Sequence, residues 1–540
     1  MMRGERLPQA VTKAGYIAAI GLVIGLPLPY FMGVGDASYL LSFTIITIVA
    51  GLCALAHSRE ERPVFLGLFA GALLVRFYVQ LALYKWSIAG GGPFLNPDAT
   101  LYLHRSLFLA ADNFQHALTP ALYFGTYDCA HYYLFAALIR FGGADMYGLQ
   151  MFNAGLTALV GPLAYGAARA VLPRYALPLG IVVSLSPTLV AYGVNDLLKD
   201  PGVIASAMLT LWAIARLSCT DRRAAQVCLI LVGAAALAYS RMSRFYVAPF
   251  FATAFIGAWI ATRFANGGLS PRNLIPRSRL AISVVVIFLI AEIVPWRLGW
   301  PPSTVMVARQ VANTLDTPAM RVYAKGLFDR TGNEPDQQGR KFVAPSRAVN
   351  DILRDFSRGA RLPSALEAEQ EVERENQLAN TGKRSTESVP LSRRVITMSA
   401  NGFRKFFGPF PWVMPQAWDP KTILHSDVPM FPGMLLWYAV LPLALGGGFF
   451  LVWQVIQRRS VQFPLLITAG IVGVFLAQYL VLNLSWRQRE FMFPFLLVLA
   501  CFGIEQGWTK PLVRRGYVIY WALLVLLAVT HLSVRAFMVR

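Results

Sequence analysis

Five groups of charged side chains could do chemistry in this chain: Asp98, the neighbours Lys199 and Asp200, the arginine pairs Arg241/Arg244 and Arg487/Arg489, and Arg76. A carboxylate within hydrogen-bond reach of a hydroxyl acts as a general base, and cations stabilise a departing phosphate. Arginine suits bidentate phosphate binding through its planar fork. Two of the groups have an equally good local explanation. Asp98, in NPDATLY, falls in the first turn of a helix that Asn96 can cap and Pro97 can open. Asp200 precedes Pro201 at another helix start, and Lys199 can snorkel towards headgroups. The arginine pairs are harder to explain locally, because they lie where the charge rule for membrane proteins disfavours them.

That rule applies because of the elements that must carry these residues. Apolar residues make up 56% of the 540-residue chain and charged residues 14%, with a mean hydropathy of +0.51. Such a composition excludes a water-soluble enzyme and gives an all-α polytopic membrane protein. Runs of roughly 20 apolar residues, enough to cross about 30 Å of hydrocarbon, predict about thirteen spans: 15–34, 38–56, 64–84, 147–170, 175–193, 201–218, 225–240, 246–263, 280–296, 432–456, 463–483, 490–507 and 517–534. Lys and Arg in the short turns place the N-terminus inside. Arg3, Arg6 and Lys13 agree in this with Arg59/Arg62, Arg169/Arg174, Arg222/Arg223, Arg272/Arg277/Arg279, Arg458/Arg459 and Lys510/Arg514/Arg515. Alternation then puts Asp98, Lys199/Asp200, Arg241/Arg244 and Arg487/Arg489 together on the extracytoplasmic face. The formal net charge of +21 is in this light a topology signal plus attraction to anionic lipid, and no nucleic-acid partner is expected. The first span also has the basic start of a signal peptide, but it is long and GVGDAS is a poor cleavage site.

Three regions follow: 1–296, a transmembrane domain with a first large outer loop at 85–146; 297–430, a mostly helical extracytoplasmic segment; and 431–540, the last transmembrane helices. In the first loop the stretches 99–111 and 130–141 are too short to span and are expected to lie in the interface. They bring Tyr102, His104, Arg105 and His131 as candidate acceptor or sugar contacts. Arg76 sits in the outer half of a span, where an unpartnered charge costs about 2.5–3.5 kcal/mol, so an acid or a lipid phosphate is expected beside it. The sequence contains no GxxxxGK[ST] loop, no GxGxxG after a strand, no DxD and no HExxH, which removes ATP-driven and nucleotide-sugar chemistry. Cys53, Cys129, Cys219, Cys228 and Cys501 suggest neither a disulfide framework nor a zinc site.

The acid in PDATLY, the span FNAGLTALVGPLAYGAARAVL, the DP step in LLKDPGVIASAMLTLWAIA and the pattern RQREFMFPFLLVLACFGIE resemble the GT-C class of polytopic glycosyltransferases, in the branch of the bacterial aminoarabinose transferases and the protein O-mannosyltransferases. The resemblance covers 64–300 and 430–507 loosely. It implies Asp98 as catalytic base, Asp200 as a second acid that orients the acceptor or holds a metal, and Lys199 with Arg76, Arg241, Arg244, Arg487 and Arg489 as the donor-phosphate site. A divalent cation, Mg or Mn, would then lie at Asp98 and Asp200. The chain departs from the family in having two spans before the one that delivers Asp98, no Asp-Glu pairing at that acid, and a long outer segment between spans. The expectation is an inverting transferase of the bacterial inner membrane, with a polyprenyl-phosphate sugar as donor and a glycan, lipid or protein as acceptor. Two alternatives stay open: an O-antigen polymerase or ligase using a polyprenyl-diphosphate glycan, and a transporter or flippase with Arg76 and Glu292 as its intramembrane charges.

Overall fold

The computed structural model describes residues 3–34, 37–89, 97–111, 128–194, 197–265, 279–306, 427–481 and 486–538. The expected extracytoplasmic segment 297–430, with its FFGPFPW stretch, falls almost wholly outside the described residues. The fold is all-α and polytopic. Its helices are α1 (Arg3–Gly25), the single turn α2 (Leu28–Phe31), α3 (Tyr39–Leu55), α4 (Glu61–Ala89), α5 (Pro97–Ala111), α6 (Ala130–Gly142), α7 (Met146–Val171), α8 (Ala176–Ser184) and α9 (Pro187–Val194). They continue with α10 (Asp200–Leu217), α11 (Arg223–Ser243), α12 (Val247–Ala265), α13 (Arg279–Arg297), α14 (Asp427–Ile456), α15 (Phe463–Val481), the 3₁₀ turn Trp486–Met492, α16 (Phe493–Gly507) and α17 (Pro511–Met538). Every one of the thirteen expected apolar runs is helical. Among the described residues eight helices are long and apolar enough to cross a membrane, or up to nine if a bent pair counts as one span, so thirteen crossings are not established.

The bent pair is α8 and α9, which the sequence reads as one span over 175–193. It turns by 44° after Ser184, because Pro187 has no N–H to continue the ladder and crowds the preceding turn. Helix α7 is the axis of the bundle. It is buried from Met146 to Ala168 at all positions but one, Leu156, and it packs against α3, α4, α8, α9 and α10. Its start is fixed by Asp145, whose carboxylate accepts from the Gly148 N–H at 2.7 Å, a side-chain cap on an otherwise orphaned donor. Helices α14 and α16 meet at Gly447 and Gly503, where a Cβ would lie 2.0 Å from the Leu499 carbonyl oxygen and 2.3 Å from that of Leu443. Small residues allow such close approach in a membrane bundle.

Two polar clusters mark opposite ends of the bundle. At one end Glu61, where α4 begins, accepts from Arg169 of α7 at 2.9 Å and from Arg216 of α10 at 3.4 Å. His57 is bonded there too. Trp212 Nε1 donates to its Nε2 at 3.1 Å, which leaves the imidazole proton on Nδ1, 3.3 Å from Glu61. The start of α10 and the end of α11 lie at the other end, with Asp200 and Arg244 paired.

Candidate functional site

The end of the bundle that carries Asp200 and Arg244 is roofed by α5 and α6. Both helices occur where short amphipathic stretches are expected, yet they are packed into protein, with Tyr102, Leu103, His104, Leu107, His131, Tyr132 and Phe135 all buried. Their apolar faces are covered by each other and, for α6, by α11. Helix α6 stops at Gly143, whose φ of 62° is the left-handed cap that glycine adopts freely.

Lys199 immediately precedes α10 and is 4% exposed. Its Nζ lies 3.6 Å from Asp128 Oδ2 and 3.4 Å from the Asp128 carbonyl oxygen, and 5.5 Å from the centre of the Tyr102 ring. Asp128 Oδ1 accepts from the Phe245 N–H at 3.2 Å. Asp200 Oδ1 accepts from Arg244 Nη2 at 2.9 Å. Beside them, Arg105 Nη1 donates to the Tyr132 hydroxyl at 3.3 Å, and His131 Nδ1 is 3.1 Å from the Tyr239 hydroxyl. The structure therefore brings together Lys199, Asp200, Arg244, Tyr102, Arg105 and His131 from four separate stretches of chain. His104 is buried on the same helix as Tyr102. Asp98 stands in the first turn of α5, four residues before Tyr102, and its side chain is outside the described residues, as is that of Arg487.

Electrostatics follow from this burial. Desolvation, helped by the nearby Arg244 charge, lowers the Lys199 amine to about 8 against the opposing pull of Asp128 and Asp200. Desolvation, with the Lys199 charge, lowers His131 to about 3 and keeps it neutral. Burial also disfavours the Arg244 charge, but Asp200 beside it outweighs this and holds the guanidinium firmly protonated. Arg244 Nε has no hydrogen-bond partner among the described residues, so a buried cationic donor is left for an anion. A pH test follows from Lys199. The amine loses its charge as pH rises through about 8, whereas a phosphomonoester, with a second pKa of about 6, is already fully ionised there. Affinity for a polyprenyl phosphate is therefore expected to fall above that pH. Lys199→Arg should flatten the profile, and binding that is constant across the range would remove Lys199 from the anion site.

Three arginines expected on the donor phosphate have other partners. Arg241 Nε lies 3.1 Å from Glu292 Oε2 and donates to Ser303 Oγ at 2.7 Å, while its Nη2 reaches the Pro301 carbonyl oxygen. Glu292, the other charge singled out for a transporter, is thus one half of an ion pair. Arg489 is fully buried against its neighbour Glu490, with Nε 3.4 Å from Oε1 and the guanidinium 5.0 Å from the Trp437 ring centre. Arg76 is fully buried too. It donates from Nε to Thr157 Oγ1 at 2.9 Å and from Nη1 to the Ser184 and Ala72 carbonyl oxygens at 2.8 and 3.0 Å. Its expected acid or lipid phosphate is replaced by the carbonyl end of α8, and Glu490 accepts from Thr188 at the start of α9 at 2.8 Å. The break in the helix is clamped at both ends by charges of the sign its dipoles favour.

No divalent-cation site is formed by the described residues. No group of three or more His, Cys, Asp or Glu is placed to hold a metal ion among them, and the carboxylates that do converge are spent on cations, Asp128 on Lys199 and Asp200 on Arg244. Asp98, the other carboxylate expected at the cation, has its side chain outside the described residues, and no step below passes through a metal. Asp128, Tyr239 and Glu490 were missed in the sequence. Asp128 is one of four aspartates in the loop 85–146, and only the fold selects it.

No protein-family model matches the chain, and no curated protein does. Among solved structures the chain is similar to the archaeal oligosaccharyltransferase AglB from Archaeoglobus fulgidus, in complex with an inhibitory peptide and a dolichol-phosphate, at 16% identity and a TM-score of 0.44. The match covers 87% of this chain and 55% of that one, so the chain spans about half the length of the protein it matches.

Proposed function

We propose that the protein is an inverting membrane glycosyltransferase of GT-C type, moving a sugar from a polyprenyl-phosphate-linked donor to an acceptor hydroxyl on the extracytoplasmic face. The observation that carries this reading is the pairing of Lys199 with Arg244 Nε, two buried cationic donors at one end of an apolar bundle, each tethered by a carboxylate. A lipid-linked phosphate arrives at that depth with its chain in the hydrocarbon and its anion level with these two groups. In the reaction the acceptor oxygen bonds to the anomeric carbon as the bond from that carbon to the phosphate oxygen breaks. The electron pair leaves on the phosphate, whose growing charge Lys199 and Arg244 stabilise. The acceptor proton passes to Asp98, one helical turn before the buried Tyr102. Asp200 and Asp128 orient the two cations, and Arg105 and Tyr132 line the approach from α5 and α6.

Purified Asp98→Asn protein, assayed for release of polyprenyl phosphate from a polyprenyl-phosphate sugar, tests the base. A positioned general base contributes about 10²–10⁴-fold, so turnover should fall by that factor while donor affinity is kept. Full turnover in the variant would remove Asp98 from the reaction.

A further inference from the structure

We infer that the bundle holds a second lipid, an anionic phospholipid, in a cleft at the end opposite the candidate site. Helix α17 stands off the rest of the protein, and its apolar window is 0% buried. It is pinned near its middle, where the Tyr517 hydroxyl donates to the Ala439 carbonyl oxygen at 3.1 Å and Tyr520 and Trp521 pack on Met434 and Tyr438. On the side of that pin where α14 and α16 end, the helices part around a cleft of about 160 Å³ lined by Gly446, Phe450, Gly503, Val513, Gly516 and Tyr517. Two glycines open the space: a Cβ on Gly446 or on Gly516 would meet nothing within 4 Å.

The cleft admits a hydrocarbon chain but no protein helix, whose diameter is about 10–12 Å. Charge names the headgroup. Lys510 Nζ sits 4.8 Å from the centre of the Phe450 ring, on the cleft wall. Arg514 and Arg515 flank Val513 and Gly516 on the next turn of α17. All three cations are exposed and none forms an ion pair among the described residues; the nearby acid in sequence is Glu505. Arg458 and Arg459 close α14 at the same end, and the basic turns mark that end as cytoplasmic. An acyl chain in the glycine cleft beneath a phosphate held by Lys510, Arg514 and Arg515 satisfies both surfaces, as basic pockets between membrane helices do for anionic headgroups. The site is independent of the transferase reading.

The test uses the full-length protein in detergent, titrated with phosphatidylglycerol or phosphatidylcholine, with thermal midpoint and lipid retention in native mass spectra as readouts. Phosphatidylglycerol is expected to raise the midpoint and to be retained, and phosphatidylcholine to do neither. The triple variant Lys510→Ala, Arg514→Ala, Arg515→Ala should lose the preference. Gly446→Leu with Gly516→Leu, which fills the cleft and leaves every charge in place, should lose retention. Equal responses to the two lipids overturn the proposal. So does a filled variant that still retains phosphatidylglycerol, which would mean surface attraction alone, and so does a filled variant whose only change is in the number of protein copies per particle, which would make the cleft a contact between copies.

Discussion

Glu490→Ala is expected to cost about 3–5 kcal/mol of stability, the penalty for breaking a buried ion pair by removing one of its members. Arg489 is 0% exposed, its guanidinium lies over Trp437, and Glu490 itself is only 2% exposed. The carboxylate also accepts from Thr188, so its removal takes an acceptor from the start of α9 as well as from Arg489. The informative comparison is the double variant Arg489→Met, Glu490→Leu. Replacing both members of a buried pair by apolar groups of similar size is often neutral or stabilising, so the double variant should unfold at a higher temperature than either single one. A fluorescence or circular-dichroism melt in detergent reads the series. A single-variant loss below about 1 kcal/mol, the range of an exposed pair, would mean that water reaches Arg489.

Arg244→Ala should lower transfer by about 10²–10³-fold, the usual cost of deleting one preorganised donor from a site of developing negative charge. Arg241→Ala is the matched control three residues away. Its guanidinium is occupied by Glu292 and Ser303, so its loss should lower the melting temperature and leave the affinity for polyprenyl phosphate unchanged. Steady-state transfer together with donor binding separates the two. Equal losses of binding in both variants would place the anion between them and return Arg241 to the donor site.

The sequence made the helices legible because hydrocarbon thickness imposes one length on every span, and a run of twenty apolar residues is a strong local signal. The break after Ser184 was not read from the sequence, although the stretch SLSPT at 184–188 interrupts the apolar run there and carries Pro187. The charged residues were legible by type. What each one meets was not. Arg241 and Arg244 share one sequence motif and one helix end, and the choice between Glu292 and Asp200 is made by where α13 and α10 lie. Arg76 carried the correct expectation that it needs a partner, and that partner is a backbone carbonyl exposed by a bend the sequence did not reveal. Asp128 gains its place from contacts with Lys199 and the Phe245 N–H, residues 71 and 117 positions away, which no local pattern encodes.

The clamp on the α8–α9 break has a consequence for how the protein is made. Arg76 is translated and threaded into the bilayer 108 residues before the Ser184 carbonyl it binds. Thr188 then waits a further 302 residues for Glu490. Until these partners arrive the nascent chain holds first a charged side chain and then an unfinished bend within hydrocarbon, where an unsatisfied polar group costs several kcal/mol. The bend between α8 and α9 is therefore completed only when the segment that carries Glu490 has been delivered.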